Sequence, residues 1–293
     1  MSLATATSAS GGLVDLHTHS TASDGSRLPA DVVREANRIG LVAVAITDHD
    51  TLDGLAEARA AGAELGVRII NGIELSAVED DVETHVLGLH LADTAELASS
   101  LVALRNMRLS RAERIVARLN DLGVRISFDD VLREAAGGAV GRPHIARAMV
   151  NDGWATDFRD AFDRYLGNGR AAFVQKDHLS LIDAIAMIHR AGGLAVLAHP
   201  GPAGSRARIE LLATAGLDGV EVKHPGHSAE DTARLGALAE HFDLVPSGGS
   251  DWHGAADGPR RLGMMNVPAD WLRRQDERAA RRASTRVDRE RVA

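Results

Sequence analysis

Residues 41–50 read LVAVAITDHD, six apolar residues that stop abruptly in threonine, aspartate and histidine. A short apolar run ending in a polar cluster has the form of a buried strand whose end reaches a surface. Helical patterns flank it near 29–39 and 52–65, and beyond them the same form returns in GLVDLHTHS at 12–20 and RIINGIELS at 68–76. After residue 178 it recurs: a helix near 180–191, AGGLAVLAHPG at 191–201, a helix near 206–215, GLDGVEVKHPGHS at 216–228, a helix near 229–241, and FDLVPSGGSDWHG at 242–254. Strand alternating with helix predicts an α/β fold with a parallel sheet or barrel.

Between these halves the strand pattern stops. Segments such as LVALRNMRLSRAERIVARLNDLG at 101–123 follow helical periodicity, so 95–176 reads as an inserted helical subdomain that interrupts a discontinuous barrel of 13–94 and 177–272. An insertion at the end of a barrel strand forms a lid or substrate pocket, or is a packing appendage. Residues 1–12 read as a disordered start and 273–293 as a basic tail. That tail holds eight arginines against four carboxylates, so a chain of net charge −8 leaves −12 on the remainder. An acidic body suits cation binding and argues against duplex DNA as a partner.

The 293 residues contain no cysteine, which excludes disulfides, thiolate zinc sites and a cysteine nucleophile. Any metal must use nitrogen and oxygen donors. The sequence has neither a signal-peptide pattern at its start nor an apolar stretch of membrane-spanning length, so a cytoplasmic setting away from membranes is expected.

Four apolar runs finish in histidine or aspartate: His17 and His19, Asp48 and His49, His199, then Asp251 and His253. Alternation along a strand puts His17 with His19 on one face, and Asp251 with His253. Each pair is a ready bidentate set for zinc, manganese or iron. Glu74 and His85 extend the group, whereas Asp48 points away from His49 and reads as structural.

DLHTHSTASDG at 15–25, AITDHDT at 45–51, GIELS at 72–76, THVLGL at 84–89, AVLAHPG at 195–201 and GGSDWH at 248–253 together resemble the successive motifs of the PHP family, named for its polymerase and histidinol phosphatase members. The resemblance implies a distorted (β/α)7 barrel and a cluster of two or three divalent ions, manganese with iron or zinc as alternatives. It implies one ion on His17, His19, Glu74 and Asp251, a second on Glu74, His85 and His199, and a third on Asp24, His49 and His253. His85 is accepted on the resemblance alone, because it begins its apolar run instead of ending it.

Chain length, the insertion and GRPH at 141–144 resemble a bacterial subgroup acting on nucleoside bisphosphates and short RNA ends. That resemblance implies a metal-dependent phosphoesterase whose partner is a small phosphorylated nucleotide or short single-stranded RNA, with a histidinol-phosphate or other small-molecule phosphatase as the alternative. Arg142 and His144 match substrate positions in the subgroup; otherwise they are a helix start and a solvated arginine. His227 matches a site histidine and is assigned leaving-group protonation, while His224 and Lys223 read as solvent-exposed. Relatives carry arginine after AHPG where this chain has Pro202, so Arg206 or Arg208 is the expected replacement. Asp251 would orient the attacking water, whose pKa falls from 15.7 toward about 7 on coordination, so that hydroxide attacks phosphorus in line. Amide hydrolysis on the same barrel, or a non-catalytic metal scaffold, are the rival readings.

Overall fold

The computed structural model describes residues 11–79, 82–137, 140–175 and 179–292. Lys176 and most of the segment read as a disordered start lie outside them. Strands β1 (Leu13–Asp15), β2 (Leu41–Ile46) and β3 (Arg68–Asn71) form a parallel sheet, with α1 (Pro29–Arg38) and α2 (Leu55–Leu65) packed outside. A second sheet orders β4 (Ile73–Glu79), β5 (Val82–Leu89), β6 (Leu194–Leu197), β7 (Gly219–Lys223) and β8 (Val245–Gly248). Helices α7 (Leu181–Arg190), α8 (Arg206–Thr214) and α9 (Ala229–His241) connect and cover it.

Backbone bonds join the two sheets at both seams. Leu16 N donates to Gly248 O at 3.1 Å and Asp251 N to His17 O at 2.9 Å; on the other side Asp50 N donates to Glu74 O at 3.0 Å. With β3 and β4 separated only by Gly72, this makes a distorted barrel of seven staves, as the motif resemblance implies. β6 is wholly buried, which is why LAVL reads as a continuous apolar run without alternation.

One stave runs backwards. β5 is antiparallel to both β4 and β6, so its beginning lies on the rim where the other strands end. That reversal explains why His85 starts its run.

The helical segment comprises α3 (Thr94–Asp121), α4 (Phe128–Ala135), α5 (Arg142–Asn151), α6 (Phe158–Ala161) and a π-helical turn at Phe162–Leu166. Leu97 and Leu101 in the first half of α3 join the barrel core, whereas from Ala112 onward the buried side chains form a separate cluster with Val131, Ile145, Met149 and Leu166. A capping box of Ser127 and Asp130 starts α4.

After the short strand β9 (Val267–Pro268), the basic segment forms helix α10 (Ala269–Val292). It is docked as far as Arg282: Leu272 and Gln275 are buried, and Arg278 and Arg282 pair with Asp243 and Asp218. Among the described residues no helix is long and apolar enough to cross a membrane.

Candidate metal centre and substrate cleft

All nine residues expected to hold metal converge on the rim. His17 and His19 follow β1 and are completely buried, with their Nε2 atoms 3.2 Å apart. Glu74 Oε2 lies 3.2 Å from the first and 3.1 Å from the second, and Asp251 Oδ1 lies 3.5 and 3.2 Å from them. An ion bound tetrahedrally at roughly 2.0–2.2 Å spaces its ligand atoms about 3.3–3.6 Å apart, so these separations are close to the edges of such a coordination shell. His17 Nδ1 donates to Glu221 Oε1 at 3.1 Å, which leaves Nε2 of the neutral ring as a lone pair facing two carboxylate oxygens. That contact is repulsive unless a cation or proton lies between them. The donor set and spacing therefore fit a divalent metal.

Glu74 has two faces. Its Oε2 meets His17, His19 and His49, the last at 3.3 Å, while Oε1 meets His85 Nδ1 at 2.8 Å and His199 Nε2 at 3.1 Å. A third group lies beside them, where His253 Nε2 is 3.3 Å and His19 Nδ1 3.8 Å from Asp24 Oδ1, with His49 close by. The buried Nδ1 atoms of His19 and His49 have no hydrogen-bond partner among the described residues.

Local structure aims these groups. Asp48 accepts from Ser20 N, Ser20 Oγ and Ser23 Oγ, each at 2.7 Å, and so fixes the loop carrying Asp24. A side chain at Gly249 would meet His17 Cβ and N at 2.4 Å, so only glycine lets the segment after β8 approach and deliver Asp251. His199 and Asp251 themselves sit at left-handed φ of 29° and 48°. Such backbone for non-glycine residues concentrates at functional sites.

Burial alone would raise the carboxyl pKa of Glu74, but His49, His85 and His17 overcome it and hold it well below the ordinary range. For His19, burial is likewise overcome by Asp251 and Glu74, which push it up to about 10. The cluster of side chains thus favours positive charge at its centre.

Glu221 was not foreseen. Fully buried, it bridges His17 Nδ1 and the backbone N of His199, the latter at 2.7 Å. It has the place of a carboxylate that orients a ligand imidazole from behind. Its only sequence signal is a glutamate in the apolar alternation of VEVK at 220–223.

His227, His144 and Arg206, given site roles by the resemblance, have other work, and so do their neighbours His224, Arg208 and Lys223. His227 donates from Nδ1 to Val222 O at 3.0 Å and accepts at Nε2 from Gly201 N at 3.1 Å, so both nitrogens are spent on backbone and neither is free to protonate a leaving group. His224, expected to be exposed, is buried, with Nε2 3.3 Å from Asp251 Oδ2. His144 is buried too: Nδ1 accepts from Gly141 N and Nε2 donates to Ser23 O at 3.1 Å, tying α5 to the Asp24 loop instead of facing substrate. Arg206 turns outward, 2.8 Å from His241 and stacked on Phe242, and Arg208 pairs with Glu79. Lys223 donates to Asn266 O, away from the cluster.

Arg142 does line a cleft between the rim and the helical segment, with Asp24, His49 and His85 on one wall and Arg108, Arg111 and Phe162 on the other. It donates to Glu83 Oε2 at 3.1 Å. Arg260, also unforeseen, pairs with Asp251 Oδ2 at the outer edge of the rim.

Comparison with known proteins agrees with this geometry. The PHP-domain profile matches residues 15–168. A 3',5'-nucleoside bisphosphate phosphatase of Chromobacterium violaceum is 38% identical over 85% of this chain and 90% of its own. A 5'-3' exoribonuclease of Haemophilus influenzae is 36% identical over 82% of this chain and 89% of its own. A crystal structure from Bifidobacterium adolescentis, assigned as a metal-dependent phosphoesterase, superposes with a TM-score of 0.82 at 35% identity, covering 89% of this chain and 94% of that one.

Proposed function

The chain belongs to the PHP-domain family, and from that premise we propose that it is a metal-dependent phosphoesterase that hydrolyses a phosphate ester of a nucleotide, either a nucleoside 3',5'-bisphosphate or the end of a short RNA. The observation that carries the reading is the close set of four donors from His17, His19, Glu74 and Asp251 beside an arginine-lined cleft. In this reading His17, His19, Glu74 and Asp251 hold one ion, Glu74, His85 and His199 a second, and Asp24, His49 and His253 a third. The oxygen and nitrogen donors suit manganese, with iron or zinc also compatible. When bound, such ions neutralise phosphoryl oxygens and lower the pKa of water.

The protein's own groups do the rest. Glu221 fixes the tautomer of His17 so that Nε2 presents a lone pair. His224 steadies the outer oxygen of Asp251, leaving Oδ1 directed at the centre. Arg142 offers a guanidinium for phosphate in the cleft, where Glu83 now occupies it. The helical segment lines the cleft beside the rim through Arg108, Arg111, Arg142 and Phe162. A cytoplasmic setting and a small phosphorylated or single-stranded partner belong to the same proposal.

A hydrolysis screen in manganese that reads both inorganic phosphate and released mononucleotide, across nucleoside 3',5'-bisphosphate, mononucleotide, short 5'-phosphorylated RNA and histidinol phosphate, tests it. Turnover of the first or third is expected. Turnover of histidinol phosphate alone would keep the chemistry and overturn the nucleotide.

A further inference from the structure

Three guanidinium groups face the same cleft, but two carboxylates already engage two of them. Arg108 donates to Asp50 and, at 2.6 Å, to Ser76 Oγ; Arg142 donates to Glu83. Arg111 differs. It is about nine-tenths buried, its Nε donates to Val174 O at 2.8 Å, and its guanidinium carbon lies 6.0 Å from the Phe173 ring centre. Its Nη2 has no hydrogen-bond partner among the described residues. Burial and the neighbouring cations Arg142 and Arg108 push its pKa down to about 10, against the pull of Glu83, so it stays charged at neutral pH.

A buried guanidinium nitrogen without an acceptor carries a desolvation penalty that an incoming anion removes. Asp24, His49 and His85 of the rim line the same cleft, so an anion at Arg111 would be a second group on a ligand whose first group is at the rim. We propose that Arg111, fixed by Val174 and Phe173, is the specificity-determining residue that seats a second, non-reacting phosphoryl group of the substrate, with Arg108 and Arg142 beside it. This rests on the phosphoesterase reading above and adds to it the residue that separates substrates with two phosphoryl groups from those with one. The second group is either a terminal or an internucleotide phosphate, since both present the same oxygens to a guanidinium fork.

Steady-state kinetics of R111Q and R111K on a nucleoside 3',5'-bisphosphate, the matching monophosphate and a 5'-phosphorylated dinucleotide test this, with thermal melting and metal content measured alongside. The bisphosphate-to-monophosphate ratio of kcat/KM is expected to fall about ten- to a hundredfold in R111Q, mainly through KM, with R111K between it and wild type. On the dinucleotide, a loss in release of mononucleotide assigns the seat to the terminal 5'-phosphate, and a loss in release of inorganic phosphate assigns it to the internucleotide group. Equal losses on all three substrates, or no loss, would overturn the proposal. If R111Q does not fold, the R111K ratio decides in the same way. Wild-type protein inactive on every phosphate ester would instead remove the reading beneath it.

Discussion

At the residue scale, Glu74 is the pivot, since its two oxygens face different histidines on either side. Glu74→Ala should therefore strip more metal than Asp24→Ala, whose carboxylate serves only the outer group. Elemental analysis after growth in supplemented medium measures this, and equal losses would deny Glu74 its bridging place. Glu221→Gln should leave the histidines in position but cost about ten- to a hundredfold in metal affinity, because the partner of His17 Nδ1 is weakened. Isothermal titration reads that effect. Arg142→Ala should raise KM for a phosphorylated substrate about ten- to a hundredfold with metal content unchanged. Six of the nine converging side chains, His17, His19, His49, His199, Asp251 and His253, were legible because histidine and aspartate at the ends of apolar runs have few other reasons to recur, and Glu74 extended that set; His85 and Asp24 came only through the motif resemblance. Glu221 was not, since one glutamate in a strand looks like an outward-facing residue. Nor could HPGH at 224–227 say which histidine turns inward: both are polar residues after a strand, and only the turn at Gly226, whose N–H bonds His224 Nδ1, decides it.

At the scale of elements, α5 and the Asp24 loop are joined through His144, whose ring bonds backbone on both sides. Burial, then Arg147, lower its pKa to about 4. An unfolded histidine titrates near 6.5, so between about pH 6.5 and 4 the unfolded chain binds a proton that the folded chain refuses. This residue therefore contributes a loss of stability as pH falls through that window and none above it. Melting temperatures of wild type and His144→Gln should converge toward pH 4, the variant being less stable at pH 8 for want of the tie. A gap that stays constant across the window would contradict this. GRPH marked a helix start correctly, but an imidazole that bonds two backbone groups leaves the same sequence trace as one that meets a ligand. The reversal of β5 was equally hidden, because strand direction is set by pairing partners and not by the apolar run itself.

At the scale of the whole molecule, repeated strand–helix grammar made the barrel readable, and the single interruption made the helical segment readable. The join between them was not. α3 is one continuous helix whose first half packs on the barrel and whose second half enters a core of its own, so periodicity does not change where the packing partner does. The basic C-terminal segment showed the converse: rich in arginine, it still docks through buried Leu272 and Gln275 and pairs its charges with acidic residues of the barrel. On the proposed reading, hydrolysis of a phosphate ester depends on the ions this rim would hold. Titrating manganese into chelator-stripped protein while following phosphate release from a nucleoside 3',5'-bisphosphate tests it most directly. Activity should be absent at the start and saturate at two to three equivalents per chain; full activity in the stripped protein, or none at any manganese concentration while the protein remains folded, would contradict the account.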